Sequence, residues 1–241
     1  MLTNSEQEEK FKQIKERAWA ELIEAKNLLV TVERSDEWTR SRKFGNTERI
    51  RKAIDLLDSS FCMFKDTGNQ KLSQNVLMVR EKWNGLLCLQ EGQYFVARTH
   101  FQTIRNLGRD LDPSFAEWAK AAIGECDGWR KAQMKFESHA ESVTYEQMTR
   151  CFATAEQYYK KQDGVRSTQC GVWKRTFEFL AGTSHHSVEE YQCLMHELKI
   201  TESITRDSYI SSPLDKMKSK IMERVIQMHQ ESLRDSAMVK E

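Results

Sequence analysis

Two stretches of this chain hold residue types that could do chemistry. His185, His186, Cys193 and His196 fall within a short span, and Cys193 and His196, three apart on a helix, would share one face. A histidine from the preceding loop could then close a metal site around them. The spacing matches no standard zinc pattern and no second cysteine pair accompanies it, so surface histidines beside a helix start are the competing reading. No metal or other cofactor is assigned.

The second stretch, Arg34 to Lys52, packs Arg34, Arg40, Arg42, Lys43, Arg49, Arg51 and Lys52 around Trp38 and Phe44. Basic side chains can contact phosphates while aromatic faces stack on unpaired bases, which is how single-stranded nucleic acid is held without reading its sequence. Arg40, Arg42, Lys43 and Arg49 would make the contacts. Glu33, Asp36, Glu37 and Glu48 partly neutralise the cluster, and a solvated charged loop explains it equally.

Nothing else in the sequence carries catalytic spacing. There is no Gly-rich phosphate loop, nucleophile elbow, paired-carboxylate motif or dinucleotide fingerprint, so the expectation is a protein that is not an enzyme. Lys plus Arg (37) and Asp plus Glu (36) nearly cancel, which removes any bulk attraction to nucleic acid or to an anionic membrane. The opening MLTNSEQEEKFKQ has no apolar run, so no signal peptide is expected, and no segment approaches the roughly 20 apolar residues of a membrane span. The six cysteines are spread singly beside apolar neighbours, a usage that points to a reducing compartment, cytoplasmic or nuclear.

The elements that must position any site are helices. Only two prolines and ten glycines, a 30% charged fraction and little β-branched alternation argue against strands. Phe11, Ile14, Ala18, Leu22, Ala25 and Leu29 form one apolar stripe on a first helix over Ser5 to Glu33. A loop to Asn46 precedes a second helix over Thr47 to Phe64. The third runs from Gln70 to Gln90 and the fourth from Gln93 to Leu107, joined by a tight Glu91-Gly92-Gln93 turn. Asp112-Pro113, an acid placed to cap and a proline at the first helical position, opens a fifth helix, which Gly124 and Gly128 are expected to loosen or split.

Thr144 with Gln147 predicts the cap of a sixth helix that Asp163-Gly164 ends, and a seventh spans Val165 to Ala181. Ser187 with Glu190 starts a short eighth, and Ser212-Pro213 starts the last. Roughly nine helices with short connections make consecutive helices antiparallel neighbours. The predicted fold is all-α, a stack of helical hairpins in an α-solenoid, with a compact multi-helix bundle as the alternative. The expected division is a helical-repeat domain over 1–200, a polar linker over 201–212 and an amphipathic helix over 213–241. That helix, with Leu214, Ile221 and Met228 seven apart, either caps the stack or binds a partner.

Gly85, Ala97 twelve residues on, Phe101 four residues after that, and Pro113 at the end give the stretch a resemblance to one tetratricopeptide repeat (TPR). The resemblance covers a single unit and implies a concave groove, lined by the first helix of each hairpin, that grips a protein or peptide partner. Val79, Lys82, Leu86 and Leu89 are the positions that would face it. The same apolar residues also read as inter-helix core. A second, shorter likeness lies in Arg224 and His229, four residues apart between them, which is similar to the signature of helical HEPN-type ribonucleases; it implies His229 as an acid or base toward RNA.

The expectation from the sequence is thus a non-enzymatic, TPR-like scaffold or adaptor that binds a partner protein or peptide along a groove, as a subunit of a larger complex. The alternative is a helical protein associated with RNA through the loop at 34–52, or a HEPN-like ribonuclease.

Overall fold

Stop signals decide where this chain turns. A computed structural model describes residues 4–34, 44–138, 140–182, 192–196, 216–217, 219–228 and 230. Among them every regular element is helical: α1 (Asn4–Arg34), α2 (Phe44–Asp66), α3 (Gln70–Gln90), α4 (Tyr94–Leu111), α5 (Pro113–Phe136), α6 (Tyr145–Tyr159) and α7 (Gly164–Ala181). A short helical run at 192–196 (α8) and another at 219–228 (α9) follow. The all-α class is as expected. The described part of the chain divides inside α5, between Lys120 and Ala121, into two units.

In the first unit α1 packs on α2, α2 on α3, and α3 on α4, so consecutive helices form successive hairpins as in a solenoid. Gly68 and Gly92 turn the chain with φ near +74°, a left-handed conformation that a side chain would strain. Asn69 then caps α3 by accepting from the Leu72 N–H at 3.3 Å, and Asp112 caps α5 by accepting from the Phe115 N–H at 3.0 Å. The core stripe of α1 is buried from Ala18 through Leu22, Ala25 and Leu29 to Val32, whereas Phe11 is exposed.

Two helices run three or four residues beyond the bounds expected from the sequence. α2 begins at Phe44, inside the segment read as loop, and α4 continues past Leu107 to Leu111. Gly108 sits within that extension. The backbone nitrogen of Ala116 lies 3.1 Å from where its Cβ would be, so glycine is what lets the first turn of α5 close on α4.

In the second unit α6 packs on α7, with Thr144 accepting from the Gln147 N–H at 3.3 Å and Asp163 from the Arg166 N–H at 3.1 Å. Gly124 and Gly128 neither loosen nor split α5, which is continuous. They are the positions where α6 crosses it: the Cys151 carbonyl lies 3.2 Å from a Cβ built at Gly124, and the Phe152 ring 2.6 Å from one at Gly128. The missing side chains give the room a close helix crossing needs, and tertiary contact outweighs the roughly 1 kcal/mol propensity cost of each glycine. Trp129 packs edge-on against Phe152 (5.4 Å) and Trp173 (4.8 Å), and Phe152 stacks on Phe177 (5.6 Å), so the core here is aromatic. Met217 and Ile221 of the C-terminal stretch are buried in this unit, and residues 201–212, read as a linker, lie outside the described residues.

Candidate binding site

The helical period of α3 distributes its groove positions unequally. Leu86 and Leu89 are buried with Trp83 and Leu87, while Val79 and Lys82 keep partial exposure. The Lys82 ammonium stands 5.5 Å from the centroids of both the Trp83 and Trp118 rings, its stem lying along apolar surface and its charge over aromatic faces. Of the four positions, two are therefore core and two are surface. The glycine-to-aromatic spacing around them has a packing reason. The Phe101 ring occupies the place a Gly85 side chain would take, and Ala97 is fully buried beside it.

Beside Lys82 lies an ionic cluster. Glu81 is buried and receives a hydrogen bond from the Arg80 guanidinium at 2.6 Å, while the His100 Nδ1 sits 2.6 Å from its other oxygen; Arg80 also pairs with Asp58. Burial alone would raise the Glu81 carboxyl, but the bonds from His100 and Arg80 outweigh it and lower its pKa. Hydrogen bonds to the Cys88 sulfur and then to Glu81 outweigh burial at His100 and raise it from 6.5 to about 9. A group whose pKa is raised on folding contributes stability that is full below its unfolded pKa and is lost as pH rises through the folded value. Urea unfolding midpoints should therefore fall between about pH 6.5 and pH 9, and a His100→Gln variant should show a flatter profile over that window. An unchanged slope in the variant would remove His100 from the account.

Of the basic residues, Arg49 is exposed, and Arg40, Arg42 and Lys43 lie outside the described residues. Two neighbours are already engaged: Arg51 pairs with Glu91 at 3.2 Å and Lys52 with Glu24 at 2.8 Å. Cys193 and His196 are exposed on α8, and His185 and His186 lie outside the described residues; among those described, no three His, Cys, Asp or Glu side chains gather as a metal site. Arg224 is half-buried on α9, and His229 lies outside the described residues.

One surface escaped the reading of α1 as a single stripe. Trp19, Ile23 and Val30, four and seven residues apart, are 46%, 54% and 40% exposed, on a side of α1 away from its buried row. Trp19 rests edge-on against Phe64 of α2 at 5.5 Å, which fixes the ring while leaving nearly half of it open. Exposed Lys12 precedes Trp19 by seven residues, exposed Glu16 precedes Ile23 by seven and exposed Lys26 falls between Ile23 and Val30, so the apolar row is interleaved with charges of both signs. The heptad spacing was legible in the sequence, but the stronger row of Ala18, Leu22, Ala25 and Leu29 accounts for the helix on its own. The Glu81–His100 pair gave no signal, since its partners come from different helices. No protein-family model, no curated protein and no solved structure matches this chain.

Proposed function

We propose that the protein is a non-enzymatic, TPR-like helical adaptor of the cytoplasm or nucleus that binds a partner protein, as one part of a larger complex. The uncovered row Trp19, Ile23 and Val30 on α1 supports this reading most directly. A half-open aromatic held in place by a second ring loses little entropy on binding, and such residues dominate interface energies. Spacing of four and seven residues along a helix suits a second helix laid beside it. Lys12, Glu16 and Lys26 are exposed beside the row, so the partner expected is an amphipathic helix whose apolar stripe is flanked by charges of both signs. Val79 and Lys82 on α3, the latter over two tryptophan rings, are the surface positions left to the groove that the repeat resemblance implies.

Affinity capture of the tagged protein from its native extract, with and without nuclease, tests this against nucleic-acid binding. A stoichiometric protein should survive nuclease and high salt, and Trp19→Glu with Ile23→Glu should remove it at least ten-fold while leaving the circular dichroism unchanged. Loss of everything on nuclease treatment, or capture indifferent to both substitutions, would refute the α1 surface as the binding face.

A further inference from the structure

The end of α5, the connector that follows it and the C-terminal helical stretch border an open hollow of about 480 Å³ within the second unit. Its floor is aromatic. Phe136 and Tyr145 lie 6.3 Å apart and tilted, and Tyr145 in turn stacks on Phe177 at 6.4 Å, which holds its ring in place. Burial raises the Tyr145 phenol above its ordinary value, so it is a neutral donor at neutral pH.

Three lysines line the same hollow, Lys135 from the end of α5 and Lys216 and Lys220 from the C-terminal stretch, and Ser219 lines it with them. Lys216 donates to the Phe136 carbonyl at 3.0 Å, at the C-terminal end of α5 where a cation is favoured. Lys135 stands 5.8 Å from the Tyr145 ring centroid, and Lys220 is bonded to Glu223 at 2.6 Å. An ammonium has three protons to donate, so one such tie leaves donors for a ligand. Against three cations stand two carboxylates, Glu141 in the lining and Glu223 bonded to Lys220.

We propose that this hollow binds a mononucleotide-sized organic phosphate, its flat ring on Phe136 and Tyr145 and its phosphate among Lys135, Lys216 and Lys220. Three lysines lining one hollow suit a dianionic phosphate, an aromatic floor suits a planar ring, and the volume falls within the roughly 300–1,000 Å³ usual for small-ligand sites. Neither feature is part of the α1 surface, so this site stands or falls apart from the adaptor reading.

Calorimetric titration of the full chain with AMP, CMP, adenosine and inorganic phosphate tests it. AMP or CMP should bind with Kd below about 1 mM, and adenosine and phosphate each at least ten-fold more weakly. Lys220→Glu and Lys135→Ala, both changes of exposed or half-exposed side chains, should each weaken the nucleotide about ten-fold with the fold intact by circular dichroism. Adenosine binding as tightly as AMP would show that the cations take no part, and phosphate binding as tightly would show the same of the floor; either overturns the proposal. So does a failure of both nucleotides to bind at about 5 mM, or a phosphoserine peptide that binds ten-fold more tightly than either.

Discussion

Glu125→Ala is expected to lower the stability of the chain by about 3 kcal/mol, the loss typical of removing one partner from a buried ion pair. Glu125 lies on α5 and is buried, and its Oε2 accepts from the Tyr159 hydroxyl at 2.9 Å and from the Arg166 guanidinium at 2.7 Å. Arg166 opens α7, where its guanidinium also lies 3.8 Å from Asp163. Burial opposes the charge on Arg166, but Glu125, Tyr159 and Asp163 outweigh it and its pKa is raised. Burial and Glu125 together raise Tyr159 well above the ordinary phenol value, so it remains a donor. Alanine at position 125 leaves the largely covered guanidinium with only the more distant Asp163 and removes the acceptor of the Tyr159 hydroxyl. Urea denaturation of the full chain measures the loss. Replacing both Glu125 and Arg166 with methionine should cost less than Glu125→Ala alone, because no charge is then left stranded. If the double variant is the weaker protein, the pair contributes through something other than the stranded charge.

Gly128→Ala should destabilise by about 1–3 kcal/mol, although alanine is the better helix former. The added methyl would meet the Phe152 ring, whose nearest atoms lie 2.6 and 2.8 Å from the new Cβ. That ring is fully buried, with Trp129 on one side and Phe177 on another, so it has nowhere to swing. Overpacking in such a place moves backbone. Gly164→Ala is the matched comparison, since nothing lies within 4 Å of its Cβ and its φ is not positive. There the substitution should be neutral or stabilise by up to about 1 kcal/mol through the unfolded chain. Thermal or urea unfolding of the two variants side by side checks both signs. Equal effects would mean that the α5–α6 crossing tolerates a methyl and that glycine at 128 is not set by packing.

Gly128 also marks where reading the sequence stops working. A glycine in a helical pattern weakens the helix by a known amount, and that is all local propensity records. Whether it breaks the helix or admits a neighbour depends on α6, which begins only at Tyr145 and whose approach propensity does not describe. Gly85 was legible for the opposite reason: its partner Phe101 follows at a spacing fixed by a short hairpin, so local geometry alone brings the two together.

The candidate surfaces divide in the same way. On α3, Leu86 and Leu89 turned out to be core and Lys82 surface, and an apolar residue at a groove position looks identical in sequence whichever way it faces. On α1, the row of Trp19, Ile23 and Val30 was present in the spacing, but exposure rather than spacing separates a binding row from a packing row. The hollow of the second unit was out of reach. Lys135 and Lys216 stand at positions far apart in the chain, and no periodicity links them.

By itself, then, the sequence determined the helical class, the places where Gly92, Asp112 and Thr144 end or begin helices, and the stripe that buries α1 from Ala18 onward. Each of these is settled within a few residues, by turn chemistry, caps and a 3.6-residue period. Only the tertiary structure decided that α5 runs unbroken, that Glu81 meets His100 at 2.6 Å, that Glu125 holds Arg166 and Tyr159, and which apolar residues stay in water. Those depend on which helix lies against which, and contacts between residues distant in the chain leave no mark on the local pattern of any one segment.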